Sequence, residues 1–305
     1  MIERIRPPAL KPGDTVAVVA VAAAIEREHL ERGVNALAGC GYRVKVSEHA
    51  LSRSGILAGS DRERAAELHR YFADPEVRAI FAARGGYGSG RMLPLMDFDA
   101  IARAPKIFLG FSDATFLLNA LVEKSGMVAF LGPMVATDFA RGLTPHALDH
   151  LRRVFGDGAS FELRARETLH AGIGEGELIG GCLSVLVAML GTAYAPDFED
   201  KVLFLEDTGE KAYRIDRMLV HLRQAGALER VAGIVFGGMR GFDGSEQEKR
   251  LMRDFMIEQT ADLGCPVLAG IEAGHGTENL VIPFGVRVRL DAAKGQVAFM
   301  DRAVS

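Results

Sequence analysis

Short apolar runs and amphipathic stretches alternate along the first half of the chain. Thr15–Ala22 is almost wholly apolar and predicts a buried first strand. Glu26–Cys40 has helical spacing, and Gly41 follows as a stop. Arg43–Val46 predicts a short strand. Ser60-Asp61-Arg62-Glu63 is a capping box, which opens a helix to about Phe72. Val77–Ala82, Lys106–Leu109 and Val128–Leu131 predict three further strands. Strands separated by helices imply βαβ units and a mainly parallel sheet.

The texture changes after Phe155. The stretch GDGASFELRARETLHAGIGEGE is polar and glycine-rich, and reads as a linker with short edge strands. A second alternating pattern follows. Gly180–Leu190 predicts the start of a buried helix, Lys201–Leu205 a strand, and Tyr213–Ala225 an amphipathic helix. Val231–Phe236 predicts a strand, Ser245–Leu263 a helix, and Pro266–Ala269 a strand. Val286–Leu290 and Gln296–Met300 predict a closing hairpin. The expected class is therefore α/β, with an N-terminal domain over 1–156, a linker over 157–175 and a C-terminal domain over 176–305.

Composition narrows the function without naming it. Of 305 residues, 49% are hydrophobic and 25% charged, as in an ordinary soluble globular protein. The net charge is -4 and no basic stripe is visible, so nucleic-acid binding is not suggested. No apolar run reaches the roughly 18 residues that a membrane span needs. The opening MIERIRPPALKPGD shows no secretion signal, and a cytoplasmic location is expected. Cys40, Cys182 and Cys265 are odd in number and form no CxxC pair. They read as small thiols in a reducing compartment.

The candidate chemistry begins at FLGFSDATFLL, residues 108–118. Here a strand signal stops at Gly110 and a helix signal opens at Ala114, with Ser112 between them. A nucleophile elbow needs this context, with small residues two before and two after the serine. The competing reading makes Ser112 an N-cap. A nucleophilic serine also needs a base, and His275 stands apart from the other seven histidines because Gly274 and Gly276 flank it. Glu206 follows the apolar run Val202–Leu205, at a strand end where α/β proteins build sites, and is the candidate orienting carboxylate. Asp207 and Glu210 are its rivals. The oxyanion hole needs two backbone N–H groups. Asp113 supplies one candidate, and the glycine loop AARGGYGSGRM supplies Gly86, with Gly85 next.

That glycine loop also admits phosphate or dinucleotide binding, but it lacks both GxGxxG and the Lys-Ser/Thr of a phosphate loop. His146 and His150, four apart, resemble a zinc helix, but the string is HxxDH and no third ligand stands out. They read as part of a solvated helix face.

Six strings now resemble a known family: LKPGDTVAVVA, ARGGYGSGRMLPLMDFD, FLGFSDATFLLNAL, LIGGCLSVLVAMLGT, LFLEDTGEKAYRIDRML and GHGTENLVIPFG. They are similar, in order and from about Leu10 to Leu290, to the LD-carboxypeptidases (murein tetrapeptide carboxypeptidases). The resemblance implies a flavodoxin-like or amidotransferase-like first domain and a swivelling β/α second domain. It implies Ser112 as nucleophile, His275 as base and Glu206 as orienting acid, with the Asp113 and Gly86 amides holding the oxyanion. It implies a small peptide substrate, a murein tetrapeptide from recycled peptidoglycan that loses its terminal D-alanine. It also implies a homodimer and neither metal nor cofactor. Tyr87, Gly85 and Arg240 are further candidates for substrate contact. Three positions depart from the family pattern. Val21-Ala22-Ala23-Ala24 replaces a Ser/Pro turn, Cys182 replaces an Asn, and GGMRGFDG is unexpected after Phe236. A sister branch, microcin-immunity-type hydrolases of peptidyl-nucleotides, is associated with an aromatic platform that is often Trp, and this chain has no Trp. A reading of another class is a non-catalytic nucleotide or sugar-phosphate binder using the 85–90 loop.

Overall fold

The computed structural model describes residues 4–156, 160–241 and 243–305. In chain order the elements are β1 (Thr15–Val19), α1 (Arg27–Gly39), β2 (Arg43–Val46), α2 (Asp61–Ala73), β3 (Val77–Ala82), α3 (Phe98–Arg103), β4 (Ile107–Gly110), α4 (Thr115–Ser125), β5 (Ala129–Leu131) and α5 (Pro145–Gly156). Then come β6 (Glu162–Arg164), β7 (Glu167–His170), β8 (Ile173–Cys182), α6 (Leu183–Met189), β9 (Lys201–Glu210), α7 (Ala212–Gln224), β10 (Gly233–Gly241), α8 (Glu246–Thr260) and β11 (Val267–Gly274). The last three are β12 (Ile282–Phe284), β13 (Arg287–Asp291) and β14 (Gln296–Phe299). Among the described residues, no helix is long and apolar enough to cross a membrane.

Two compact units result. One holds residues 1–159, 280–284 and 302–305, and the other holds 160–279 and 285–301. The stretch 157–175 contains β6, β7 and the start of β8; Asp157, Gly158 and Ala159 within it lie outside the described residues, as does Phe242 of the GGMRGFDG string.

The first unit is built on the sheet β2-β1-β3-β4-β5, all parallel, with β12 antiparallel beside β5. This is the flavodoxin-like order, in which successive connections turn in opposite directions from β1 and β3. Covering such a sheet on both faces buries whole strands, and Val16 to Val19 are each 0% exposed. The capping box at α2 forms as its spacing predicts. The Ser60 hydroxyl accepts from the Glu63 N–H, and the Glu63 carboxylate accepts from the Ser60 N–H. Helix α1 packs against a single π-turn, Val135–Phe139. The approach is close because α1 carries Gly33 at the contact. A Cβ there would lie 1.9 Å from the Val135 carbonyl oxygen.

The second unit is built on β8-β9-β10-β11, again parallel. Antiparallel strands β13, β14 and β6 extend it on one side and β7 on the other. Two sequence expectations change here. The predicted helix start at Gly180 is still strand, because Gly180 and Gly181 sit at φ 126° and 123°. A Cβ on Gly180 would fall 2.0 Å from the Phe204 carbonyl oxygen, so glycine lets β8 lie directly on β9. β9 and β11 also run longer than their apolar cores, to Glu210 and Gly274. Their final residues remain paired although they are polar or glycine.

His150 is another difference. It is 8% exposed rather than solvated, and its Nε2–H donates to the Val281 carbonyl at 2.8 Å. Burial first, and its hydrogen bond only in opposition, pushes its pKa below the usual 6.5.

Two predictions follow from packing. Alanine at Gly33 should destabilise the protein by more than about 2 kcal/mol through overpacking. Alanine at Gly39, on the same helix with nothing within 4 Å, should stabilise it by roughly 0.5 kcal/mol through helix propensity. Urea midpoints distinguish the two signs. His150 should contribute stability that is complete above pH 6.5 and declines as pH falls below it, since the unfolded imidazole takes the proton first. Denaturation of wild type and His150→Gln across pH 5 to 8 should show the steeper acid loss in wild type.

Candidate active site

Ser112 lies between β4 and α4 with φ 60°. L-residues rarely adopt this left-handed conformation, which costs roughly 1–2 kcal/mol and marks functional turns. Ser112 is not a helix cap. The 3-10 turn Ser112–Ala114 is preceded by Phe111 and α4 by Ala114, and neither end has a side-chain cap bond. The small flanking residues have a measurable reason. A Cβ on Gly110 would lie 3.0 Å from the Cβ atoms of both Ala114 and Ala82. Glycine at 110 and alanine at 114 therefore let strand and helix meet at this angle.

The glycine loop after β3 meets the same turn. A Cβ on Gly85 would stand 3.0 Å from Ser112 Cβ, 3.1 Å from its Oγ and 3.4 Å from the Asp113 nitrogen. Gly85 thus keeps open the space around the serine. Gly86 has φ 106°, and its N–H makes no hydrogen bond within the described residues. Ala23 packs on it, since a Cβ there would come within 2.7 Å of Ala23 Cβ. The alanine-rich turn that departs from the family pattern is thus the small surface on which the glycine loop rests. Tyr87 stands at the loop tip, 52% exposed.

The brace for this loop is not evident in the sequence. The Asp113 carboxylate is 4% exposed and accepts from the Ser89 N–H at 2.7 Å. The Ser89 hydroxyl in turn donates to the Asp113 carbonyl. Arg64, 1% exposed, donates to the Val21 carbonyl at 2.7 Å and to the Gly88 carbonyl at 3.0 Å. One buried guanidinium therefore ties the ends of β1 and of the glycine loop together. The sole sequence signal was an arginine on the buried face of α2, which also carries Glu67.

In the second unit Glu206 is 0% exposed. Its Oε2 accepts from the His275 backbone N–H at 3.0 Å and lies 2.5 Å from His275 Nδ1. A carboxylate at Nδ1 holds the ring proton there and leaves Nε2 as the basic nitrogen. The approach depends on Gly274. At φ 77°, a Cβ would fall 2.4 Å from Glu206 Cγ and 2.7 Å from its Oε2. Gly238 does the same beneath the loop, where a Cβ would strike the Gly276 nitrogen at 2.2 Å. That glycine belongs to the unexpected GGMRGFDG string. Asn279 closes the turn by accepting from the Gly274 N–H at 2.9 Å, and was also missed.

The rival carboxylates are engaged elsewhere. Asp207 accepts from the Ser184 N–H at the start of α6 and from the Thr208 N–H. Burial raises its pKa above the ordinary value. Glu210 pairs with Arg214 at 3.4 Å. Arg240 donates to the Gly276 carbonyl at 3.2 Å and so braces the His275 loop. Cys182 is the register partner of Glu206. Burial, then the charges of Glu206 and Asp207, push its thiol far above the usual range, so it stays protonated.

Ser112, Asp113, Gly85, Gly86 and Tyr87 thus belong to the first unit, and Glu206, His275 and Arg240 to the second.

A strained serine on a strand-to-helix turn and a carboxylate-held histidine are the parts of a serine hydrolase. Comparison with known proteins narrows the class. The family model of the LD-carboxypeptidase N-terminal domain matches residues 16–132, and that of the C-terminal domain matches residues 175–290. The chain is 37% identical to a "probable murein peptide carboxypeptidase" of Bacillus subtilis, over 98% of this chain and 95% of that one. A muramoyltetrapeptide carboxypeptidase from Oxalobacter formigenes superposes with TM-score 0.85 at 31% identity, over 94% and 99% of the two chains. An MccF-like protein from Bacillus anthracis superposes with TM-score 0.88 at 29% identity, over 96% and 98%. The protein is a serine carboxypeptidase. It belongs to the LD-carboxypeptidase family.

Gly274→Ala should displace Glu206 and lower turnover at least about 100-fold, because His275 loses the carboxylate at its Nδ1. Gly276→Ala meets nothing closer than 3.3 Å and should cost far less. Comparing kcat for the two variants checks this.

Proposed function

We propose that this chain is a serine LD-carboxypeptidase acting on murein tetrapeptides, in peptidoglycan recycling in the cytoplasm. The bond cut joins an L-configured diamino-acid centre to the terminal D-alanine. The observation that carries the reading is Ser112 at φ 60°, with Gly85 bare against its hydroxyl. Ser112 Oγ attacks the scissile carbonyl while His275 Nε2 takes its proton. The Asp113 and Gly86 N–H groups receive the oxyanion. Collapse breaks the C–N bond, His275 gives the proton to the departing D-alanine nitrogen, and an acyl-serine remains. Water, deprotonated by His275, then releases the shortened peptide. Glu206 holds the imidazole through Nδ1 and stabilises the imidazolium. The reading requires the first domain to present its serine to the histidine of the second, and we assign the working form to a homodimer.

A second reading keeps the machinery and changes the substrate to a peptidyl-nucleotide. The likeness to the MccF-like structure favours it, while the absence of Trp from the chain counts against it. Non-catalytic nucleotide binding is disfavoured by the glycine loop itself, since Gly85 faces the serine rather than an open phosphate cradle.

Release of D-alanine from a murein tetrapeptide, measured beside hydrolysis of a peptidyl-nucleotide, tests the proposal. Wild type should prefer the tetrapeptide. Ser112→Ala and His275→Ala should each lower turnover by roughly four orders of magnitude, and Glu206→Gln by less. Wild-type rates in Ser112→Ala would remove the mechanism, and a preference for the nucleotide substrate would select the second reading.

A further inference from the structure

A carboxypeptidase must distinguish the free end of a peptide from an internal amide. The distinguishing group is the α-carboxylate of the departing residue, and recognising it calls for a cation near the nucleophile. In the first unit, a cleft of about 220 Å³ is lined by Arg84, Arg32, Arg141, His29, Thr137 and Glu26, among others. These residues follow β1, β3 and β5. The cleft therefore lies at the carboxyl ends of the strands beside the β1/β3 switch point, where open α/β sheets bind ligands.

Its charges are not all engaged. Glu26 pairs with Arg53 at 2.7 Å and Arg32 with Glu28 at 2.8 Å. Among the described residues, no carboxylate pairs with Arg84 or Arg141. Arg84 Nη1 donates to the Ala24 carbonyl at 3.1 Å, while its buried Nε–H has no partner. An orphaned guanidinium N–H is costly, and a carboxylate would satisfy it. Arg84 also lies beside the proposed oxyanion loop. A Cβ on Gly86 would stand 3.8 Å from Arg84 Nη2, and Gly85, the next residue in the chain, faces Ser112.

We propose that Arg84, with Arg141 at the rim, binds the C-terminal carboxylate of the peptide substrate. This rests on the carboxypeptidase reading above and assigns the residue that makes it an exopeptidase. Arg84 follows Ala83, whose carbonyl is held by the Ala136 N–H at 2.7 Å, so the cation is placed by the same π-turn that walls the cleft.

The test is calorimetric titration of the Ser112→Ala protein, which keeps ligand uncleaved, with N-acetyl-L-lysyl-D-alanine and with its C-terminal amide. The acid should bind at least about tenfold more tightly than the amide, as expected for one charge-assisted pair. In Ser112→Ala/Arg84→Gln the two should bind equally, at the amide's affinity, and Arg84→Lys should keep part of the preference. If Arg84→Gln melts early, Ser112→Ala/Arg141→Gln, altered at an exposed position, should still show a reduced preference. An acid preference unchanged by these substitutions, or absent from the Ser112→Ala protein, overturns the proposal. Separate failures are distinguishable. If wild type releases D-alanine while the preference ignores Arg84, the subsite is wrong and the peptidase reading stands. If the preference depends on Arg84 but no D-alanine is released, the subsite stands and the peptidase reading falls.

Discussion

The first unit is organised around one unfavourable backbone conformation. Ser112 can hold φ 60° only if its surroundings over-determine it. Several features meet that need. Gly110, Ala114 and Ala82 permit the sharp turn, Gly85 leaves room for the hydroxyl, and Asp113 is bonded on both sides to Ser89. The last changes the view of Asp113. Its carboxylate looks like a candidate acid beside a serine, yet it is a buried acceptor that fixes the neighbouring loop. Its backbone nitrogen lies 3.4 Å from where a Cβ on Gly85 would stand.

The second unit solves a different problem, the burial of a charge. A carboxylate at 0% exposure needs donors; both donors to Glu206 Oε2 come from His275, while its buried Oε1 has no partner among the described residues. The charge and the imidazole thus stabilise each other. Close approach is again secured by missing side chains, at Gly274 over the carboxylate and Gly238 under the loop. In both units catalytic-type geometry is reached by removing Cβ atoms from the backbone segments that must touch.

Much of this was legible in the chain. The alternating pattern showed the α/β class, and the Ser60–Glu63 box placed the start of α2 to the residue. Ser112 was marked by its small neighbours, and His275 by its flanking glycines. What stayed hidden depended on contacts distant in sequence. Gly180 reads as the start of a helix because nothing local reports that the Phe204 carbonyl lies beneath it. β9 and β11 exceed their apolar cores because pairing with β10 carries on through polar residues and glycine. Arg64, Ser89 and Asn279 act through bonds to backbone atoms, and a string of letters does not show where a carbonyl points. His150 was misread as solvated for the same reason, its partner being Val281, far along the chain.

The central claim is that Ser112 is the activated nucleophile. Intact-mass and peptide-mapping measurement after exposure to a fluorophosphonate tests it most directly. A single adduct on the peptide containing Ser112, formed far more slowly in His275→Ala, is the predicted result. An adduct on another residue, or none on the folded wild-type protein, would contradict it.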